Sequence, residues 1–498
     1  MLTLPADIQF MVLDYVGFVY MHPEVIRRAG ANLRHIKELI IEDEPLPVEP
    51  VSTHVGSLAA SAVLEFDAAN DTPGQRNYVL CRILQMFKLC VLRRFCFVSR
   101  RPLSQEALDI LSETQDQLEV LQTTAHPQLH QFLGQVRSLD VHVVEDEIDA
   151  GYYLKLITES GNHIRRFHLS ADMGAGYGSG LQTGAQWNRR MPNLRELWLS
   201  QMGVKNLFDP LSTAIDFAAL TYLSLIQAAG ADTFVSALGE ASQTTGLSLE
   251  HLAVEFLFMG RQRGAGPFDQ CLRYMFEACK AIKSLHVGWN PKLSSPETTL
   301  KTIQKSGHHL ELLSLTNNAE AEALTSTELG IVCANCPNLK QFGYAIHDGM
   351  IIDTLELTQF LSTVSRLKNL RLLHTRFRSR RWLGITEREP DYCNPELVAP
   401  EMQRFANKIF GELRRLSCCP MLDALVVGSW QERDSEDEMN LDNDDDRIDQ
   451  FCFVRAVQRD DLNRTEAVGV PVSRAILRQT QLYTDILDLD PNAGYWGQ

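Results

Sequence analysis

The chain of 498 residues contains no apolar run of about 18 residues, the length a membrane-crossing helix requires, so no transmembrane segment is expected. Basic residues are in short supply: 47 Lys and Arg face 63 Asp and Glu, a formal net charge of −16. That balance opposes general affinity for nucleic acid or for an anionic membrane surface, and neither is expected as a partner. The opening, MLTLPADIQFMVLDYVG, lacks a basic stretch and carries Asp7 and Asp14, so no signal peptide is expected. The 11 cysteines are odd in number and scattered, which speaks against a disulfide framework and for reduced thiols in a cytoplasmic or nuclear protein.

Motifs that carry chemistry are equally scarce. Cys333 and Cys336 form one C-x-x-C, but no further ligands follow at zinc spacing, and buried cysteines at a helix end are the expectation. The stretch Glu432 to Asp449 is strongly acidic, yet Arg447 and Phe453 stand where a calcium loop needs Gly and Glu, so a solvated acidic loop is expected. Gly174 to Gly180, GAGYGSG, matches no phosphate-binding pattern. No Ser/His/Asp, paired-carboxylate or metal spacing stands out, so no catalytic residue, metal or cofactor is expected.

What is present is a beat. Apolar residues at i, i+3 and i+5, as in LRELWL from Leu194, recur from anchors at Val136, Ile164, Leu194, Leu220, Leu249, Ile282, Leu310, Leu339 and Leu370. The anchors lie 26 to 33 residues apart, with looser matches at Ile36, Leu92 and Leu422. Helix-like stretches such as FDQCLRYMFEACKAI lie between them. Each unit therefore predicts a short strand and a helix, too small to bury its apolar face alone. Residues i, i+3 and i+5 are expected in the core. Residues i+2 and i+4 are expected on the opposite, exposed face of the strand.

This pattern resembles the leucine-rich repeat. Asn290 and Asn318, at i+8 in two units, match that family's asparagine position. The resemblance implies an α/β fold: a leucine-rich-repeat solenoid with a curved parallel sheet and outer helices. Its regular core would cover 136–375 within an array over 18–430, with a loop insertion near 45–75. Residues 431–450 would form the acidic loop and 451–498 a C-terminal cap. The inner face would bind a target protein through Arg166, His168, Glu196, Trp198, Tyr222, His251, His286 and His374. Ser284, also at i+2, is expected to be exposed.

The first 17 residues resemble the opening of the F-box, the helical module that docks on the Skp-family adaptor of cullin-RING ubiquitin ligases. Leu4, Pro5 and Ile8 match its start, Asp7 stands for the usual Glu, and Val12 and Val16 continue the apolar stripe. The later part of that module carries a tryptophan, and none lies between Val16 and Ile36. The resemblance implies a short N-terminal F-box-like helix. The chain would then be a non-catalytic substrate receptor whose partners are a Skp-type adaptor, a cullin and a target protein. The alternative is a repeat scaffold without adaptor binding.

Overall fold

The computed structural model describes residues 38–42, 61–65, 73–86, 92–98, 102–143, 161–171, 191–255, 268–279, 282–289, 297–317, 324–346, 354–376, 395–416, 419–428, 450–459, 465–481 and 483–489. The F-box-like segment with Leu4, Pro5, Ile8, Val12 and Val16 lies outside the described residues. So do the glycine-rich stretch, Asn290, Asn318 and the acidic loop 432–449. The chain divides into two compact units, Met1–Leu220 and Thr221–Gln498. Both are mixed α/β, with mostly parallel strands.

In the first unit the described strands are β1 Glu38–Glu42, β2 Ser61–Glu65, β3 Arg94–Val98, β4 Val120–Thr124, β5 Ser138–Val143, β6 Arg166–Ala171 and β7 Glu196–Ser200. They pair in parallel in the order β2-β1-β3-β4-β5-β6-β7. Helices α1 Pro73–Met86 and α2 Gln105–Thr114 lie between them in sequence, and α3 Phe208–Ala214 follows β7. Two expectations need correcting. The inserted loop near 45–75 contains strand β2 and the start of α1. Strand β4 falls in the gap between the anchors at Leu92 and Val136. Its register places Leu118, Leu121 and Thr123 at i, i+3 and i+5. The hydroxyl of Thr123 hid it from an apolar search, yet Thr123 is buried, because a β-branched residue packs well in a strand.

In the second unit the strands are β8 Tyr222–Ile226, β9 His251–Glu255, β10 Ser284–Trp289, β11 Leu312–Asn317, β12 Gln341–Ala345, β13 Leu372–Arg376, β14 Ala424–Val427, β15 Phe451–Arg459 and β16 Thr465–Val472. They pair in chain order, in parallel up to β14, and then antiparallel through β15 and β16. The helices are α4 Ala231–Ala241, α5 Phe268–Ala278, α6 Glu297–Ser306, α7 Ser326–Asn335, α8 Thr354–Val364, α9 Pro395–Arg415 and α10 Arg474–Thr480. Helix α7 opens with a capping box, in which Thr325 accepts from the Glu328 amide at 3.3 Å and its own N–H donates to the Glu328 carboxylate at 2.8 Å. Among the described residues no helix is long and apolar enough to cross a membrane.

The ladder keeps one register within each unit. Arg94, Val120, Ser138, Arg166 and Glu196, all at i+2, are direct partners in the first unit. Tyr222, His251, Ser284, Leu312, Gln341, Leu372 and Ala424 do the same in the second. A slip of one residue would turn every core side chain to the other face, so burial of the i+3 and i+5 residues holds the register. Leu139, Phe167, Leu197, Leu223, Leu285, Leu313, Phe342 and Leu373, all at i+3, are essentially inaccessible.

A second, polar device repeats just before the strands. The side-chain amides of Asn193, Asn338 and Asn369 donate to the carbonyls of Asn162, His308 and Pro337, at 2.8, 2.7 and 2.9 Å. Each precedes an anchor leucine in MPNL, CPNL and LKNL. They satisfy carbonyls of the preceding turn that no strand partner reaches.

Helices α4 and α5 meet at Gly239, where an added Cβ would lie 2.8 Å from the Met275 nitrogen and 2.8 Å from Tyr274 Cβ. Replacing a helical glycine by alanine ordinarily stabilises by about 1 kcal/mol. Here backbone blocks the methyl, and overpacking costs about 1–3 kcal/mol. Gly239→Ala is expected to lower the melting temperature. A higher one would contradict this close approach.

Candidate functional site

Strand side chains alternate between faces, so i+2 and i+4 residues share the face opposite the i+3 and i+5 core. In the first unit this face is partly open. Arg166 and Glu196, at i+2 of β6 and β7, approach to 3.8 Å with both side chains 40% exposed. The Arg166 guanidinium sits 5.0 Å from the centre of the Trp198 ring, a cation–π arrangement. Behind them, His168 packs its ring 5.9 Å from that of Trp198. Its Nδ1 is 3.1 Å from Asp140 Oδ1 and its Nε2 is 2.8 Å from Ser200 Oγ. The Ser200 hydrogen bond and the ring contact hold the imidazole beside Trp198. A parallel contact lies deeper, where His142 Nδ1 meets Ser170 Oγ at 3.0 Å.

The four residues expected on this face, Arg166, His168, Glu196 and Trp198, are thus brought together. The Asp140–His168–Ser200 chain was not legible in the sequence, since its members lie on three strands. Its signal is positional: Asp140 and His168 both occupy i+4 and are ladder partners, and Ser200 sits at i+6 of the next strand.

The second unit differs. Tyr222 and His251, at i+2, stack at 5.2 Å and are half-buried. His286 and His374, expected at the surface, are completely buried, and Ser284 is only 6% exposed. The reason lies far along the chain. After β16, helix α10 and a 3₁₀ turn, Asp485–Leu489, cover the i+2 and i+4 columns. Leu477, Ile486, Leu487 and Leu489 join Ala253, Leu312, Leu372, Ala424 and Val426 in one buried cluster. The C-terminal segment was expected to cap the last edge of the array. β15 and β16 extend the sheet beyond β14, while the residues after them lie on its face.

Under this cover runs a buried polar row. His286 Nε2 lies 2.5 Å from Glu255 Oε1, and Thr316 Oγ1 is 3.4 Å from the same oxygen. Burial pushes His286 well below the usual histidine range, with the Arg376 charge acting in the same direction. His374 is likewise held well below it, first by burial and then by the charges of Arg376 and Arg474. A neutral imidazole donating Nε2–H to the Glu255 carboxylate is consistent with both the contact and that direction.

At the N-terminal ends of the strands the i+1 residues form charged pairs across neighbours: Lys283–Glu250 at 2.8 Å, Lys340–Glu311 at 2.7 Å and Arg371–Asp423 at 3.1 Å. Being partly exposed to solvent, each adds at most about 1 kcal/mol. Cys333 and Cys336 lie buried at the end of α7, and burial pushes both thiols up to about 12, so both are protonated. Among the described residues no three His, Cys, Asp or Glu side chains are grouped to hold a metal ion.

No family model matches this chain. No curated protein matches it either.

Proposed function

We propose that this chain is a recognition protein of the leucine-rich-repeat type and a non-catalytic substrate receptor of an SCF-type ubiquitin ligase. It binds a target protein through Arg166, His168, Glu196 and Trp198. The observation that carries the recognition reading is the first-unit face: a partly exposed tryptophan with a guanidinium 5.0 Å from its ring centre and an imidazole packed beside it. Trp and Arg are enriched among residues that dominate binding energy, and a preorganised aromatic loses little freedom on contact. The ligase assignment rests on the F-box-like opening, with Leu4, Pro5, Ile8, Val12 and Val16 meeting the adaptor. Once docked, the receptor would act by raising the effective concentration of target near the conjugating enzyme.

A scaffold without adaptor binding is the second reading. It is favoured by the absence of tryptophan between Val16 and Ile36.

A pull-down with a purified Skp-type adaptor separates the two. The native chain is expected to retain the adaptor and the Ile8→Asp, Val12→Asp double variant to lose it. Equal recovery of both, or of neither, removes the ligase role. For the face itself, Trp198→Ala is expected to keep its melting temperature and its adaptor. It should lose about tenfold or more in capture of the co-purifying target, the scale of a hot-spot residue. Lost stability with capture intact would assign Trp198 to packing instead.

A further inference from the structure

The C-terminal turn touches the sheet of the second unit as a ligand touches a groove. Strands β9 to β14 already pair their backbones with one another, so the segment 483–489 adds no strand to the ladder. Its hold is through side chains and one bidentate contact. The Gln341 amide donates Nε2–H to Asp485 Oδ2 at 2.8 Å, and Gln341 Oε1 accepts from the Ile486 backbone N–H at 2.8 Å. One side chain thus reads an acidic residue and the amide that follows it.

The next position is read by shape. Gly343 lies at i+4 of β12, and a Cβ there would come within 2.9 Å of Ile486 Cδ1. The missing side chain is the seat for that isoleucine. Leu487 and Leu489 are buried against the aliphatic i+2 and i+4 residues beside it. Lys340 Nζ stands 4.6 Å over the Tyr483 ring, and Arg474 donates to the Leu487 carbonyl. The last ladder pair of β16 is Val472 with Cys452, so the turn can leave without breaking a strand pairing.

We propose that this face is a peptide-docking groove that residues 483–489 keep closed in cis. Its occupant in trans is a segment of a partner protein with an acidic residue followed by Ile-Leu-x-Leu. The partner displaces the turn and takes its seats. The chemistry of the occupant is that of the turn: an acid and an amide for Gln341, an isoleucine for the Gly343 gap, and two leucines for the aliphatic columns. This inference rests on the chain being a recognition protein but not on the first-unit face, so the Trp198→Ala outcome leaves it untouched.

The test uses the full chain and a fluorescein-labelled peptide with the sequence of Tyr483 to Leu489, YTDILDL. An Ile486→Asp, Leu487→Asp variant empties the groove. It is expected to bind the peptide about tenfold or more tightly than the native chain, because an occupied groove lowers apparent affinity by its open fraction. Adding Gln341→Leu to that variant, or replacing the peptide's first Asp by Asn, should weaken binding again. A folded double variant that fails to bind, or one indifferent to both changes, overturns the proposal. If the double variant does not fold, hydrogen exchange of the Ile486 amide in the native chain decides. Faster exchange with excess peptide supports displacement, and unchanged exchange refutes it. Native dimers that exchange the turn, with no peptide binding, also refute it.

Discussion

Replacing Leu285 by alanine is expected to lower the unfolding free energy by about 2–5 kcal/mol. Leu285 occupies i+3 of β10 and is 1% exposed. Its ladder partners, Leu252 on β9 and Leu313 on β11, are equally buried, so the cavity has packed walls on both sides. Parallel strands held in a continuous ladder cannot close on a void without moving their neighbours, which places the cost towards the upper end. The matching control is Lys283→Ala. That residue points from the strand end, its side chain 50% exposed and paired with Glu250, and its loss should cost no more than about 1 kcal/mol. Ser284 does not serve as a silent control, because it is itself only 6% exposed. Urea unfolding curves read the comparison, and equal midpoints for the Leu285 and Lys283 variants would contradict the register.

Acidification is expected to destabilise the second unit through His286 and His374. Both are fully buried and titrate well below the usual histidine range, so they stay neutral in the folded chain. In the unfolded chain they take up protons below about pH 6.5. The unfolded state then binds more protons, and stability falls as pH falls. The stabilisation is fully present above about pH 6.5. Between about pH 7.5 and about pH 5.5 each histidine should cost about 1.4 kcal/mol. The groups facing them do not reverse this sign. Glu255 meets His286, while the Arg376 charge acts on both rings and Arg474 on His374, all disfavouring a further proton there apart from Glu255. The measurement is unfolding free energy against pH for the native chain and for His374→Gln. The variant should lose about half of the histidine-linked slope. A native chain as stable at about pH 5.5 as at about pH 7.5 would falsify the buried-neutral assignment.

The strands from Val136 to Leu370 were legible because their core positions are large, apolar and local: three side chains within six residues specify a strand and its face. Strand β4 was not, since Thr123 is polar by type but packs as a β-branched residue. Strand β2 was hidden by the small side chain of Ala62 at its i+3 position. For the candidate faces, the grouping of Arg166, His168, Glu196 and Trp198 followed from register alone. The third-strand contact of His168 with Ser200 required knowing that diagonal neighbours in this ladder come within hydrogen-bond distance.

The sequence by itself therefore determined which residues of each strand turn inward and which strand residues sit side by side, because alternation and the spacing of apolar anchors are properties of the local backbone. Whether an outward residue meets water was decided only by tertiary structure. Trp198 and His374 occupy the same i+4 position. One is partly open and the other is sealed, because Ile486 and its neighbours come to rest over the second unit's sheet. Gln341 finds Asp485 across 144 residues of chain, a contact no periodicity encodes. Burial is a property of everything that packs on a face, and its last contributor here lies after the final strand.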